Sequence, residues 1–298
     1  DTELLPIYIY YSIFGFQRVG DLIWAAADQR ARGFLFGATA GRTTLSGEGL
    51  QHQDGSSHLM AGAVPNCRAF DPCFAYELAV ILDYGMLRML DQERDEFFYI
   101  TVMNENYAQP SEPQGKREDM VRGMYLFTTN GEASSPRVRL LGAGTILREV
   151  IAAGEILFND FGIASDVYSV TSFTELAREA MDVERQRRFE RTSTPRRSFV
   201  EATLEGTTPI VAATDYIRAV PGQIAPYLEA RMTLLGTDGF GRSASRHALR
   251  RFFEVDKEHI VLSAIESLVD NGMLPRSTLI EALDKFDIDD AAPAPWRV

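Results

Sequence analysis

Short β-branched and aromatic runs alternate with runs of helical spacing, and this alternation constrains the chain more than any other feature. Ile7 to Phe14 (IYIYYSIF) is apolar except at Ser12, as a buried strand is. Within Phe16 to Arg32, the residues Val19, Leu22, Ile23, Ala26 and Ala27 recur at helical spacing, and Gly33 stops the helix. Phe34 to Ala38 reads as a second strand, followed by a glycine-rich loop from Gly41 to His58. Ala75 to Leu90 reads as a helix and Phe97 to Met103 as a strand. Strand, helix, strand, helix in this order implies a parallel α/β sheet.

Asn104 to Asp119 contains Pro110 and Pro113 among polar residues and reads as a linker. The rhythm then restarts. Strands are expected at Val138 to Leu141, Ser165 to Val170, Ile210 to Ala213 and Met232 to Leu235. Helices are expected at Ile146 to Asp160 and Phe173 to Phe189, the second with Glu175, Arg178 and Glu179 on its wetter side. A helix broken near Pro221 follows the strand at Ile210. Three further helices, His247 to Phe253, His259 to Leu274 and Ser277 to Phe286, close the chain. The expectation is two α/β units, residues 1–112 and 113–298, with no internal repeat.

A chain of 298 residues with 45% hydrophobic and 24% charged residues buries a core without staples. Its 30 Lys and Arg against 42 Asp and Glu leave a net charge of −12, which makes it a poor general binder of nucleic acid or an anionic membrane. No run reaches the roughly 18 apolar residues of a membrane-spanning helix, and no signal peptide is visible. Two cysteines, Cys67 and Cys73, fit a reducing cytoplasm and read as buried free thiols. The chain opens at Asp1, without Met and almost directly on a strand, which reads as the C-terminal piece of something longer.

The densest chemistry lies between Gly41 and His58. Two of the four histidines, His52 and His58, sit there with Glu48, Asp54 and four glycines. The loop follows a parallel strand, where ligand sites gather. Glycine lets backbone approach a ligand, and histidine moves protons near neutrality. A solvated surface loop is the bland alternative. A metal site at His52-x-Asp54-x-x-x-His58 matches no strong ligand spacing.

Elsewhere the signals are weaker. Gly142-Ala-Gly-Thr-Ile-Leu147 mimics a dinucleotide fingerprint but has Leu147 in place of its third glycine, and close strand–helix packing explains it equally. Six arginines between Arg185 and Arg197 against Glu190 give a local charge of +5. They read as a solvated helix end, with a docking site for an acidic partner as the sharper alternative. His247 and His259 lie on helical stretches without a carboxylate cluster and read as structural.

Four segments carry a family resemblance. They are Tyr10-Tyr-Ser-Ile-Phe-Gly-Phe-Gln-Arg18, Gly41-Arg-Thr-Thr-Leu-x-Gly-Glu-Gly-Leu-Gln-His52, Val170-Thr-Ser-Phe-Thr-Glu-Leu-Ala177 and Leu235-Gly-Thr-Asp-Gly-Phe-Gly-Arg-Ser243. Together they resemble the homodimeric bacterial pyruvate dehydrogenase decarboxylating component over essentially the whole chain. The neighbouring transketolases share the Asp54-Gly55-Ser-Ser-His58 pattern but not the Gly-Arg-Thr-Thr-Leu run.

The resemblance implies a cytoplasmic, homodimeric thiamine diphosphate enzyme of the transketolase-like superfamily. It makes residues 1–112 the second half of a pyrimidine-binding middle domain and residues 113–298 a transketolase-like C-terminal domain with a mostly parallel sheet. The intact enzyme would decarboxylate pyruvate and acetylate the lipoyl group of dihydrolipoyl acetyltransferase. By the same resemblance Phe14 packs on the cofactor pyrimidine and Tyr11 lies beside it. Tyr11 is also an active-site tyrosine able to hydrogen-bond there, His52 orients substrate and assists acetyl transfer, Glu48 tunes the protonation of His52 or accepts from the cofactor side, and His58 stands at the substrate or behind it. The family's Gly-Asp-Gly motif for Mg²⁺ and its cofactor-activating glutamate are not in this sequence, so Mg²⁺ ligands are expected outside it. Two other outcomes remain: transketolase-like sugar transfer, and a catalytically silent module for dimerisation and docking.

Overall fold

Two separate sheets carry the alternation read from the sequence. The structure, a computed structural model, describes residues 4–45, 47–191, 194–289 and 291–298. The reading that rests on Asp1 falls outside these residues. The first sheet holds β1 (Ile7–Tyr11), β2 (Gly33–Ala38), β3 (Cys67–Phe70) and β4 (Phe97–Thr101) in the order β1-β2-β4-β3. All pairs are parallel. The helices α1 (Phe16–Asp28), α2 (Ser57–Ala63) and α3 (Ala75–Met86) form the connections. In β4, Phe97 and Tyr99 join Phe16, Ile23 and Cys67 on one face, while Phe98 and Ile100 join Phe34, Phe70 and Ile81 on the other. A two-residue period buried on both faces is what a parallel sheet demands.

β1 departs from expectation. It reads as a buried strand, yet Ile7, Tyr8 and Ile9 are each more than 60% exposed. The reason is position: β1 pairs only with β2 and forms the sheet edge among the described residues. Beside it Leu22 and Trp24 of α1 are also exposed. An apolar groove of about 340 Å³, lined by Tyr8, Leu22, Ile23, Phe34 and Phe97, runs between α1 and the sheet.

The second sheet has the order β5-β7-β6-β8-β9. Its strands are β5 (Met124–Asn130), β6 (Arg137–Gly142), β7 (Ala164–Val170), β8 (Ile210–Ala213) and β9 (Met232–Leu235). Only β5 runs antiparallel, along β7. Around it lie α4 (Arg117–Arg122), α5 (Leu147–Phe161), α6 (Phe173–Arg187), α7 (Phe199–Thr203), α8 (Ala219–Gly222), α9 (Arg246–Phe252), α10 (Lys257–Asp270) and α11 (Arg276–Phe286). Leu140 and Val167 face α5 and α10, and Leu141 and Tyr168 face α6. Five elements add to the sequence reading: α2, β3, α4, β5 and α7. Each has seven residues or fewer, too short for a clear periodic signal.

The two sheets meet across a polar seam. The Asp71 amide donates to Thr171 O at 2.7 Å, and the Gly144 amide donates to Asp71 O at 3.1 Å. Ser172 Oγ donates to Ala69 O at 2.6 Å. Glu175 is buried, not on the wetter side of α6, because Arg68 and Arg178 both bond to it and bridge the sheets. The expected linker is also tied down: Glu105 pairs with Arg148 and Arg250, and Tyr107 donates to Cys73 O.

Glu77 is the deepest joint. It is fully buried on α3 and accepts from the Cys73 and Phe74 amides, Tyr125 Oη and Ser169 Oγ. Glu77→Ala strands four buried donors and is expected to lower the unfolding free energy by about 3 kcal/mol. A urea titration measures this, and an unchanged midpoint would show that the donors find other partners.

Candidate active site at the carboxyl ends of two strands

The rings expected at the site converge. Tyr11 is the last residue of β1, and Phe14 sits in the 3₁₀ turn Ser12–Phe14 directly after it. β2, paired with β1 from Ile7–Phe34 to Tyr11–Ala38, feeds the loop that carries His52 in a second 3₁₀ turn, Leu50–His52. All three residues therefore lie at or beyond the carboxyl ends of neighbouring parallel strands, the usual ligand position in open α/β sheets. The His52 ring is 5.4 Å from Tyr11 and 5.4 Å from Phe14, and the Tyr11 and Phe14 rings are 5.7 Å apart. Arg18 lies 4.0 Å over Phe14. Tyr11 keeps 41% exposure.

Glu48 joins the cluster. Its Oε2 is 3.3 Å from His52 Nδ1. That nitrogen is buried and out of line for a hydrogen bond, while the side chain keeps 25% exposure. The exposure therefore belongs to the rest of the side chain.

His58 is elsewhere. It is 4% exposed at the start of α2, with Nε2 3.0 Å from Thr101 Oγ1 and its ring edge-on to Tyr216. Burial pushes its pKa down to about 4, so it is neutral at pH 7. It stands behind the cluster rather than at its surface. Asp54 is committed to protein donors: Ser12 and Gln17 side chains and the Ser56 and Ser57 amides. Among the described residues no three His, Cys, Asp or Glu side chains are grouped to hold a metal ion.

Two ring contacts contribute about 1 kcal/mol each, while ordering backbone costs about 1 kcal/mol per residue. The ring contacts alone cannot hold the loop. It is held by the second unit. Asp215 accepts from Thr43 and Thr44, Arg42 donates to Thr237 O and Gly239 O, and Gln53 is paired with Arg242. The sequence reading assigns nothing to Asp215. Its signal was available: Asp215 follows β8, again past a carboxyl end.

The weaker motifs have structural partners within the chain. A Cβ at Gly142 would meet Leu147 Cα at 2.7 Å, so close strand–helix packing accounts for the glycine there. Four of the six arginines pair with acids of the chain: Arg187 with Glu201, Arg188 with Glu184, Arg196 with Glu190 and Arg197 with Glu205. Thr192 and Ser193 within that run lie outside the described residues. Cys67 and Cys73 are free and buried.

The chain superposes on the transketolase from Leishmania mexicana with a TM-score of 0.64 at 16% identity, covering 98% of this chain and 36% of that one. It superposes on a split-gene transketolase, described as an inactive β4 tetramer, with a TM-score of 0.62 at 14% identity, covering 89% of this chain and 76% of that one. At such identities the likeness is of fold, and the fold is transketolase-like α/β.

The sequence goes further. Residues 1–110 match the pyruvate dehydrogenase E1 component middle domain, and residues 123–256 match the transketolase-like TK C-terminal domain. The chain is 52% identical over 299 residues to the pyruvate dehydrogenase E1 component of Cupriavidus necator, covering 100% of this chain and 33% of that protein. It is 53% identical over 291 residues to that of Pseudomonas aeruginosa, and 49% over 291 residues to that of Escherichia coli K12, covering 97% of this chain and 33% of the relative in both cases. The chain is thus related, end to end, to the C-terminal portion of the pyruvate dehydrogenase E1 component. It spans about a third of the length of these relatives.

Asp71, next to His58 through Thr101, offers a test of the buried network. Thr101 Oγ1 donates to Asp71 Oδ1 at 2.6 Å, while Oδ2 has no partner. Burial, with Asp215, Glu77 and Asp54 nearby, pushes the Asp71 carboxyl up to about 8. Between the ordinary value of about 4 and that value, the folded chain keeps a proton that the unfolded chain has lost. Stability therefore falls as pH rises through this window. Asp71→Asn removes the slope, so its stability relative to wild type is expected to improve from pH 5 to pH 8 in urea titrations. A difference that stays constant with pH would contradict the buried neutral acid.

Proposed function

We propose that these residues serve a protein that decarboxylates pyruvate with thiamine diphosphate and Mg²⁺ and acetylates the lipoyl group of dihydrolipoyl acetyltransferase. It works as a homodimer in the cytoplasm, and no helix among the described residues is long and apolar enough to cross a membrane. Residues 1–112 form part of the pyrimidine-binding domain and residues 113–298 the C-terminal domain, a division supported by the two separate sheets. The observation that carries the reading is the cluster of Tyr11, Phe14 and His52 past β1 and β2, in a chain about half identical to E1 components throughout.

The cluster fits thiamine diphosphate in chemistry. Its half-open aromatic surface suits an aminopyrimidine, and a titratable imidazole adjoins it. When bound, the cofactor supplies the carbanion that pyruvate decarboxylation requires. Phe14 and Tyr11 pack the pyrimidine, and the Tyr11 hydroxyl hydrogen-bonds beside it. Glu48, 3.3 Å from His52 Nδ1, tunes the charge of the ring, and Nε2 orients the substrate oxygen and holds or delivers a proton there during acetyl transfer. His58 supports the loop from behind. The Mg²⁺ ligands come from residues outside this chain, and the 298 residues alone are catalytically silent. Transketolase activity has in its favour the distant fold likeness, the match of residues 123–256 to the transketolase-like C-terminal domain and the Asp54-Gly-x-x-His58 pattern, whereas the relatives about half identical to this chain are E1 components.

His52→Ala in the full-length protein is expected to lower lipoyl acetylation about 100-fold with an unchanged melting temperature. Wild-type acetylation would remove His52 from the mechanism. Pyruvate-dependent reduction of an artificial electron acceptor by the full-length protein tests the substrate, and sugar transfer in its place would overturn it. Calorimetric titration of the 298-residue chain with thiamine diphosphate and Mg²⁺ is expected to show no binding. Clear binding would mean that the cluster anchors the cofactor unaided.

A further inference from the structure

The two halves of the cluster are held by different units. Tyr11 ends β1 of the first sheet, and Phe14 lies in the turn directly after it. Between residues 41 and 55 the loop bearing Glu48 and His52 takes many of its anchors from the second unit. The Thr43 amide and hydroxyl donate to Asp215 Oδ1, both at 2.7 Å. The Thr44 amide and hydroxyl donate to Oδ2 at 3.1 and 2.6 Å. Arg246 Nε donates to Thr44 O at 2.7 Å, and the Gly47 amide donates to Ala244 O at 3.3 Å. Gln53 Nε2 donates to Arg242 O at 2.6 Å, the Arg242 amide returns a bond to Gln53 Oε1 at 2.7 Å, and the Ile217 amide donates to Gly55 O at 3.0 Å.

Asp215 is at the centre of this set. It is fully buried, and its two oxygens receive four donors from two consecutive loop residues. Its own backbone is fixed as well, since the Arg42 amide and Thr237 Oγ1 both donate to Asp215 O. Gly41 has φ +85°, and a Cβ there would come within 2.1 Å of Asp215 Oδ2. The Gly-Arg-Thr-Thr run is therefore shaped to one carboxylate: glycine gives the approach, and two threonines give four donors.

We propose that Asp215 is a positioning residue for the candidate active site, seating residues 41–44 so that His52 meets Tyr11 and Phe14 in working register. Asp215 touches no reacting atom. It acts through Thr43 and Thr44, and it makes site geometry depend on the junction between the two units. The functional consequence rests on the proposed role of His52, whereas the positional one does not.

The test uses the full-length protein labelled with ¹³C-histidine. The His52 imidazole resonance, assigned by its loss in His52→Ala, carries the ring-current shift of Tyr11 and Phe14. Asp215→Asn places a donor against Thr43 or Thr44. It is expected to move that resonance toward its unstructured position and to lower kcat for pyruvate about 100-fold with KM nearly unchanged, the cost of a misplacement near 1 Å. Glu77→Gln, at a buried carboxylate of the same junction that does not touch the loop, is expected to move both readouts far less. If Asp215→Asn does not fold, Thr44→Val removes one hydroxyl donor and is expected to move the resonance in the same direction by less. An unmoved resonance in the folded Asp215→Asn or Thr44→Val variant overturns the proposal, as does an equal displacement in Glu77→Gln. A moved resonance with wild-type kcat keeps Asp215 as the positioning residue and removes His52 from the chemistry.

Discussion

The seat that Asp215 offers to Thr43 and Thr44 is the contact on which the candidate site depends. A glycine-rich loop has the largest backbone entropy to lose, and three touching rings do not supply that. A buried carboxylate with four donors does, because each donor left unmet inside the protein costs more than a bond exposed to water gains. The order in the loop is thus borrowed from the second sheet, although the rings it serves stand on the first.

The same economy runs along the whole seam. Asp71, Glu77, Glu175 and Asp215 are all buried there, and three different solutions keep them tolerable. Glu175 is neutralised by Arg68 and Arg178. Glu77 and Asp215 are surrounded by hydroxyl and amide donors. Asp71 keeps a proton, with burial pushing its carboxyl up to about 8. A junction built of directional bonds rather than oil fixes the relative setting of the two sheets closely, and a site whose parts come from both sides requires that.

Much of this was legible in the chain. The parallel α/β rhythm follows from strand runs and helical spacing, and the loop with His52 stands out by its place after β2, whereas Tyr11 and Phe14 are singled out only by the family resemblance. The misjudged features share a cause, since each depends on who stands opposite. Ile7, Tyr8 and Ile9 have the composition of a buried strand but lie on a sheet edge. Glu175 falls on the polar side of a helical wheel, yet Arg68 arrives from another sheet to bury it. Asp215 carries no local motif, and only the fold brings it across to Thr43. Short elements such as β3 and α7 escape because four or five residues do not establish a period.

The account's central claim is that the second unit locks the loop at residues 43 and 44. Native-state hydrogen exchange at the Thr43 and Thr44 amides tests it most directly, because both donate to the buried Asp215 carboxylate. The account predicts exchange as slow as that of Val211 and Ala212 in β8, through global unfolding alone. Exchange as fast as in the stretch around Gly115 would show a loop that opens independently of the second sheet, and the account would be wrong.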